Sequence, residues 1–280
     1  MVRKVGFQGE QGAYSEIAAM RIGEPVAIRT FEDVFKAITD GRVDCGVLPI
    51  ENSLGGAVYE NYDLMLKYPV EVLAEMYVKI EHCLLGLQGA SVESAREVLS
   101  HPQALSQCVK FLEENKHILP VATYDTAGSA KMIRASGDIK QLAIASERAA
   151  EMYGLKVLRR DLSDSRDNYT RFLVLAKRAV RQEWLAAPTK LSIALALMNG
   201  TDSLVEVLSL FKSLGIRLTK IDSRPLRSRP FEYIFYLDVV IPENVTSIAV
   251  DEVLSKLGNL TTLLVHFGSY KALSDCYGSQ

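Results

Sequence analysis

Short apolar runs alternate with amphipathic segments along the first 180 residues of the chain. The runs typical of strands are residues 2–7, 26–29, 45–50, 70–80, 83–87, 98–100, 121–124, 142–145 and 155–160. The segments with helical spacing are residues 15–22, 31–39, 59–66, 103–115, 127–135 and 147–153. This alternation predicts βαβ units that build mostly parallel sheets with helices on their faces.

The alternation is interrupted twice. Two strands follow each other almost without a break at residues 77–87, and a polar loop at residues 163–168 precedes another apolar strand. The interruptions predict two α/β lobes, the first at about residues 1–80 and 165–180 and the second at about 81–164. Ligands of open α/β sheets bind where strands end, so we expect a site in a cleft between these lobes.

The last third of the chain has a different pattern. A charged, loose segment at residues 178–188 indicates a linker, after which the order becomes βαββαβ. Strands are predicted at residues 191–198, 216–223, 233–241 and 260–267, with helices at 203–214 and 247–257. This order is the ferredoxin-like arrangement, whose open edges and free sheet face favour an oligomer.

The composition of the chain limits the kinds of protein that it can be. The 280 residues suffice for about two domains, and 48% apolar with 24% charged residues is typical of a globular protein. A net charge of −2 argues against a nucleic-acid partner. No segment approaches the roughly 20 apolar residues of a membrane span or the core of a signal peptide, so we expect a cytoplasmic protein. Four cysteines and four histidines are scattered, which argues against a metal site.

A glycine-rich turn follows the first predicted strand. Gly6, Gly9 and Gly12 have the spacing GxxGxxG, whereas a dinucleotide fingerprint is GxGxxG with an acidic residue after the second strand. That second strand ends at Arg29 and Thr30 instead. We therefore expect no nicotinamide cofactor, but a tight turn whose backbone N–H groups face a small ligand.

Two further segments place polar side chains at the ends of predicted strands. Glu51, Asn52 and Ser53 close the third strand and are followed by Gly55 and Gly56, which allow a close backbone approach. The sequence is equally consistent with a helix N-cap and a flexible turn.

The second of these segments is Ser100-His101-Pro102-Gln103. Pro102 suits the first helical position, which predicts His101 as the N-cap, and Gln103 and Gln107 lie on one helix face. Ser100 and the helix N-terminus favour an anion, and Thr126 lies at another helix start after a strand.

A hydroxyl and a fixed cation stand together at the start of the strand after the polar loop. Thr170 and Arg171 supply no group that titrates near neutral pH, so such a pair acts by positioning and electrostatics rather than as a strong base. By itself the trio with Phe172 is also consistent with an ordinary strand and a surface arginine.

Together these segments resemble the prephenate dehydratase family over the whole chain. The matching segments occur in family order: Gly6-Phe7-Gln8-Gly9 with Gly12-Ala13-Tyr14-Ser15, Pro49-Ile50-Glu51-Asn52-Ser53, Ser100-His101-Pro102-Gln103 with Gln107-Cys108, and Thr170-Arg171-Phe172. The resemblance implies an α/β catalytic domain at residues 1–180 with two periplasmic-binding-protein-like lobes. It implies a lyase that converts prephenate to phenylpyruvate in phenylalanine biosynthesis, with no cofactor.

The resemblance also implies roles for individual residues. Thr170 would hydrogen-bond the leaving oxygen, Arg171 would pair with a carboxylate or pin the hinge, and Phe172 would exclude water. The expected substrate contacts are Asn52, Ser100 and Gln107, with Glu51, Ser53, Gln103 and Thr126 behind them. Since side chains alternate along a strand, Arg171 should point away from the face that carries Thr170.

The C-terminal βαββαβ segment resembles an ACT regulatory domain at residues 188–268. Its expected phenylalanine-binding residues are Asp202, Ser203, Leu204, Val205, Asp222, Ser223, Arg224 and Pro225. Asp222 replaces the family's usual glutamate, and only Leu204 and Val205 follow its Gly-Ala-Leu-Val element. The resemblance implies feedback inhibition by L-phenylalanine and a homodimer or homotetramer formed through this domain.

Two alternatives to a prephenate dehydratase stay open at the level of sequence. Arogenate dehydratase performs the same elimination on the transaminated substrate, and one or two residues of the pocket could decide between them. A non-catalytic sensor of small anions would use a similar two-lobed cleft, although binding alone does not require Thr170 and Arg171.

Overall fold

The computed structural model describes residues 2–178, 189–226, 231–242 and 247–272. The chain divides into two compact units. Of the described residues, the first unit takes 2–64 and 76–174, and the second takes 65–75 and those between 175 and 273. All but the first residue of the predicted linker lies outside the described residues.

The first 178 residues form eleven strands and seven helices among the described residues. The strands are β1 (Lys4–Gln8), β2 (Glu24–Ile28), β3 (Cys45–Asn52), β4 (Gly56–Ala57), β5 (Val70–Lys79), β6 (Cys83–Gly86), β7 (Glu97–Ser100), β8 (Leu119–Ala122), β9 (Gln141–Ala145), β10 (Lys156–Arg159) and β11 (Tyr169–Lys177). The helices are α1 (Tyr14–Met20), α2 (Phe31–Thr39), α3 (Tyr59–Lys67), α4 (Pro102–Ser106), α5 (Val109–Glu114), α6 (Thr126–Ser136) and α7 (Glu147–Tyr153).

The first unit contains two sheets, which define its two lobes. In the first lobe the strand order is β5-β11-β3-β1-β2, and β1 is parallel to both β2 and β3. Apolar side chains from β1 and α2, such as Phe7 and Phe35, are fully buried there. The parallel strands of this lobe thus end at a common edge, as the βαβ pattern predicts.

The second lobe has the strand order β10-β6-β9-β7-β8. Strand β7 is parallel to β8 and β9, whereas β6 runs antiparallel to β9 and β10. Its core includes Leu84, Val98, Phe111, Leu142 and Ile144, all of them buried. Strand β6, by which the chain enters this lobe, is therefore the one that runs opposite to the other four strands of this sheet.

The predicted single helix at residues 103–115 is wrong, because the chain forms α4 and α5 with a break at Gln107 and Cys108. The carboxylate of Asp164 accepts hydrogen bonds from the backbone N–H groups of Val109 and Lys110 at 2.9 and 3.1 Å. A carboxylate at this point favours a new helix N-terminus over continuation of the first helix. The predicted N-cap His101 is confirmed, since its side chain accepts a hydrogen bond from the first turn of α4.

The elements of the second unit include β12 (Lys190–Leu197), α8 (Thr201–Ser213), β13 (Arg217–Pro225), β14 (Tyr233–Val240), α9 (Ser247–Gly258) and β15 (Thr261–Ala272). These strands form an antiparallel sheet in the order β13-β14-β12-β15, and Ala74 and Glu75, which belong to the same unit, pair with β15. Both helices pack on one face, where Ile193, Phe211, Leu237 and Leu257 form a buried core. This is the ferredoxin-like order, and with the two sheets of the first unit it confirms the predicted α/β fold class.

In the part of the chain that the structure describes, no helix combines the length and the apolar character needed to cross a membrane.

Candidate active site

A cavity of about 310 Å³ lies within the first unit. Its walls come from the ends of β1 and β3 and the start of β11 in the first lobe, and from α4 and the start of α6 in the second. Small-molecule sites are commonly clefts of this size at the ends of strands. Among the described residues, no group of His, Cys, Asp and Glu side chains is arranged to hold a metal ion.

Strand β11 presents Thr170 and Phe172 to this cavity. Arg171 lies between them and is buried, and its Nη1 is 3.9 Å from Oε2 of Glu51. The period-2 alternation of a strand explains why the guanidinium points elsewhere. Neither Arg171 nor Glu51 is among the described residues that line the cavity, so their expected direct contacts with substrate do not follow from this placement.

Asn52, at the end of β3, is fixed by the backbone around it. Its Oδ1 accepts hydrogen bonds from the N–H groups of Leu54 and Gly55 at 3.1 and 2.7 Å. Its Nδ2 donates to the carbonyl oxygen of Tyr169 and to Oγ1 of Thr170, both at 3.1 Å. Because the threonine oxygen accepts this bond, its own proton is available to a ligand in the cavity.

Side-chain amides from the two lobes meet at Asn52. The Nε2 atoms of Gln103 and Gln107 lie 3.2 and 3.4 Å from Asn52 Oδ1. Asn168 Oδ1 lies 2.8 Å from Asn52 Nδ2 and shares the two N–H groups of that nitrogen with the two acceptors above, and Asn168 donates to Gln107 Oε1 at 2.9 Å. We call Asn52, Gln103, Gln107 and Asn168 the amide cluster.

A side chain at Gly55 would displace a member of the amide cluster. A Cβ atom at Gly55 would come within 1.9 Å of Gln103 Nε2. The sequence predicted that Gly55 allows a close approach, and the group that approaches it is the side-chain amide of Gln103 from the other lobe.

His82 and Tyr14 extend the cluster. Nε2 of His82 is 3.1 Å from Gln107 Oε1, and its Nδ1 is 3.1 Å from the Tyr14 hydroxyl oxygen. Burial lowers the pKa of the His82 imidazole to about 4, although the hydrogen bond with Gln107 opposes the shift. Burial likewise holds the pKa of the Tyr14 phenol well above its usual value. Both side chains are therefore neutral near pH 7.

Ser53 and Ser100, which were expected to contact the substrate, hydrogen-bond to backbone groups instead. Ser53 Oγ donates to the carbonyl oxygen of Asp167 and accepts from the N–H of Tyr169, both at 3.0 Å. Ser100 is fully buried, and its Oγ donates to the carbonyl oxygen of Ile144 at 2.6 Å. Neither serine is among the described lining residues, so these hydroxyls hold the chain that carries the site rather than face the cavity.

The start of α6 supplies another part of the wall. Thr126 lines the cavity as expected, and beside it lie Asp125 and His101. Burial raises the pKa of the Asp125 carboxyl, while backbone N–H groups of Gly128 and Glu10 oppose that shift. Burial lowers the pKa of His101, and the charge of Asp125 opposes it.

The expected phenylalanine-binding residues lie in the second unit. Asp202, Ser203, Leu204 and Val205 fall in the first turns of α8, and Asp222, Ser223, Arg224 and Pro225 end β13. Ser203 is buried and its Oγ accepts from the N–H of Asn199 at 3.2 Å, whereas Val205 is exposed. The strand end and helix start therefore occur where the sequence pattern placed them.

The lining residues that were not selected as site residues from the sequence include Gln8, Tyr14, His82, His101 and Asp125. Asn168 was also missed, although it begins the segment that contains Thr170. Tyr14 belongs to the glycine-rich opening, which could have indicated it. His82 had no signal, because it is one histidine between two predicted strands.

The site can donate hydrogen bonds and exclude water. Thr170 has a free proton, its oxygen is held by a neutral amide, and Phe172 supplies an apolar wall. Such a set suits a reaction that needs a leaving oxygen to be stabilised in a dry pocket.

Comparison with known proteins gives concordant results. The family model described as "Prephenate dehydratase" matches residues 5–180. "Arogenate dehydratase/prephenate dehydratase 1, chloroplastic" from Arabidopsis thaliana is 39% identical over 98% of this chain and 71% of its own length.

Two solved structures extend over nearly the whole chain. "GqqA- a novel type of quorum quenching acylases" has a TM-score of 0.85 at 29% identity and covers 97% of this chain and 99% of its own. Prephenate dehydratase from Arthrobacter aurescens in complex with L-Phe has a TM-score of 0.84 at 25% identity, covering 96% and 89%.

Proposed function

The chain belongs to the prephenate dehydratase family, and from this premise we propose that it converts prephenate to phenylpyruvate in phenylalanine biosynthesis. The ring carboxylate leaves as CO2, the electrons of the broken C–C bond move through the ring, and the C–O bond to the para hydroxyl breaks. One proton taken up by the departing hydroxide gives water. The ring becomes aromatic, so the enzyme has only to assist the departure of the oxygen.

The placement of Thr170 carries this proposal. Its Oγ1 accepts from Asn52 Nδ2, so its own O–H is free to donate to the departing oxygen. A threonine hydroxyl is neutral near pH 7, so Thr170 passes a proton to the departing oxygen as a fixed donor and is reprotonated from water. Positioned proton donation contributes roughly 10²–10⁴-fold to a rate.

Replacement of the hydroxyl tests the role of Thr170. In Thr170→Val the shape is kept and the donor is lost, so we expect kcat to fall roughly 10²–10⁴-fold with the melting temperature little changed. Thr170→Ser keeps a hydroxyl and is the matched control, with a smaller loss. Phenylpyruvate absorbance in alkali measures the turnover. Near-wild-type kcat for Thr170→Val would remove the threonine from the mechanism.

We propose further that residues 1–180 form the catalytic domain and residues 188–268 an ACT domain that senses L-phenylalanine. The ferredoxin-like order of β12 to β15 supports this, and so does the phenylalanine bound to the Arthrobacter aurescens family member. Turnover of the full chain is expected to fall when phenylalanine is added, through about 1–3 kcal/mol of coupling. Light scattering should show a dimer or tetramer. Unchanged turnover at saturating phenylalanine would contradict the proposed regulation.

Arogenate is the second candidate substrate, and Asp125 favours it. Arogenate carries an ammonium group where prephenate has a keto group, and the Asp125 carboxyl lines the cavity. The Arabidopsis thaliana relative carries arogenate dehydratase in its name. We expect Asp125→Asn to lower kcat/KM for arogenate roughly tenfold relative to prephenate, since a charge-assisted hydrogen bond is lost. An unchanged ratio would exclude Asp125 from substrate selection.

Two functions of other classes are less well supported by the geometry. An acylase, as in the solved neighbour, needs an activated nucleophile, yet Thr170 Oγ1 accepts from an amide rather than donating to a base. A sensor of small anions would bind prephenate without consuming it. Incubation with prephenate separates the sensor from the enzyme by the appearance of phenylpyruvate.

A further inference from the structure

Resting on the proposed function, we propose that His82 is a positioning residue that holds Gln107 in the orientation that the amide cluster requires, and through the cluster steadies the direction of the Thr170 proton. His82 is 2% exposed and makes hydrogen-bond contacts with Gln107 on one side and Tyr14 on the other. The imidazole acts on Thr170 through other side chains, since its Nε2 contacts Gln107 Oε1 at 3.1 Å.

The donor pattern of the cluster can be derived from the backbone. Asn52 has one orientation only, because its Oδ1 accepts from the N–H groups of Leu54 and Gly55 and its Nδ2 faces the Tyr169 carbonyl. Asn52 Nδ2 therefore donates to Asn168, which must present its oxygen. The other end of the Asn168 amide is then an NH2 group, and it donates to Gln107 Oε1.

The same reasoning fixes the histidine. Since Gln107 presents an oxygen, the His82 atom 3.1 Å away must be an N–H, so the proton of the neutral ring is on Nε2. Nδ1 is then an acceptor, and the single proton of the Tyr14 hydroxyl is shared between Nδ1 at 3.1 Å and the Glu81 carbonyl oxygen at 2.8 Å. With the proton on Nδ1 instead, a lone pair of His82 would face a lone pair of Gln107.

The ring is held where this bond requires it. Tyr14 and His82 pack edge to face with centroids 5.7 Å apart, an arrangement that aromatic rings favour. The low pKa that burial gives His82 keeps the ring neutral, with a single proton to place. The imidazole is therefore a rigid donor of defined tautomer.

The N–H of His82 has a consequence for Thr170. Without it, Gln107 Oε1 keeps only its contact with Asn168, and the glutamine side chain is held less firmly against the amide cluster. Asn52 keeps its backbone contacts but faces a less ordered Gln107 and Asn168, and its Nδ2 contact to Thr170 Oγ1 is what leaves the threonine proton directed into the cavity. Misplacement of a reacting group by about 1 Å costs up to roughly 10²-fold in rate.

Two substitutions of His82 separate positioning from bulk. In His82→Gln an amide N–H can occupy the place of Nε2–H, whereas His82→Leu fills the space without a donor. We expect kcat of His82→Leu to fall roughly tenfold to hundredfold with KM within about twofold, and kcat of His82→Gln to recover most of that loss. A folded His82→Leu with wild-type kcat, or a folded His82→Gln as impaired as the leucine variant, would overturn the proposal.

The tautomer gives a readout that does not depend on turnover. Nitrogen-15 NMR of the wild-type chain at neutral pH should show His82 protonated on Nε2 and unprotonated on Nδ1. Protonation on Nδ1 would overturn the inference at any activity. A wild-type chain that consumes neither prephenate nor arogenate would instead reject the proposed function, while the NMR result would still decide the donor pattern.

Discussion

The two lobes of the first unit meet through two contrasting sets of contacts. Beside the cavity they meet through the neutral amide cluster, in which Gln107 and Asn168 hydrogen-bond at 2.9 Å. Elsewhere they meet through charges: Lys131 Nζ is 2.9 Å from Glu10 Oε2, and Arg148 Nε is 3.6 Å from Glu16 Oε2. We call this second set the charged contact.

The difference teaches how the site keeps its geometry. Amide hydrogen bonds are directional and do not titrate, so the cluster beside Thr170 holds its orientation over a wide pH range. Lys131 is 53% exposed in its side chain, so water and salt screen its attraction to Glu10. The lobes are therefore attracted by charges at one place and oriented by amides at the other.

Replacing the neutral amide of Asn52 by a carboxylate should have the largest effect on kcat. In Asn52→Asp the oxygen that faces Leu54 and Gly55 is kept, but a second oxygen replaces the donor to Thr170. We expect kcat to fall roughly 10²-fold or more, because the threonine loses its fixed donor. Glu16→Gln, which removes a charge from the charged contact, is the control and should change kcat less than about threefold. Equal losses in both variants would erase the contrast.

A pH series should reveal the cost of burying His82. Its pKa in the folded chain is about 4, below the ordinary value, so protonation favours unfolding. Above about pH 6.5 the neutral His82 does not lower the free energy of unfolding. As the pH falls from there towards 4, the free energy of unfolding drops by about 3 kcal/mol in all, because only the unfolded chain takes up the proton. Urea unfolding of wild type and His82→Gln at pH 7 and pH 4.5 measures it. The wild type should lose more stability, and parallel losses would contradict the low pKa.

A steric change tests how closely the lobes approach at the charged contact. Gly12 has φ +90°, and a Cβ there would lie 2.6 Å from Ala149 Cα. Gly12→Ala should therefore lower the free energy of unfolding by roughly 2–3 kcal/mol. Gly41→Ala is the matched control, since Gly41 has φ +73° and nothing within 4 Å of its added Cβ, so backbone strain alone should cost about 1 kcal/mol. Calorimetry of both variants decides whether crowding adds to strain.

The smallest effect is expected from the exposed ion pair. Lys131→Gln should lower the free energy of unfolding by less than about 1 kcal/mol, and the loss should shrink further at high salt. Lys36→Gln, whose partners Glu32 and Asp33 lie on its own helix, controls for the general effect of removing a charge. A loss above about 2 kcal/mol for Lys131 would mean that the charged contact orients the lobes as firmly as the amides do.

Local rules predicted much of the fold. Strand and helix positions followed from apolar periodicity, and the placement of Arg171 away from Thr170 followed from strand alternation. The break between α4 and α5 could not be predicted, because the carboxylate that causes it belongs to Asp164, 55 residues beyond Val109. Local spacing carries no information about such partners.

The same limit applies to the candidate site. Ser53 and Ser100 have residue types that suit substrate binding, but carbonyl groups of Asp167 and Ile144 engage them first. His82 was missed because its role depends on Gln107, which the chain brings beside it only after folding. Residue type thus indicated the region of the site, while tertiary partners decided which hydroxyls and rings face it.

Asp164 also holds one end of the loop that leads into β11. Its backbone N–H donates to the Gln107 carbonyl oxygen at 2.8 Å, and four residues later Asn168 grips the side chain of that same glutamine. The loop from Asp164 to Asn168 is therefore hydrogen-bonded to Gln107 at both of its ends, which fixes its length. Lengthening or shortening it would shift β11 against the opposing helix, so this stretch is a poor place for insertions, tags or grafted loops.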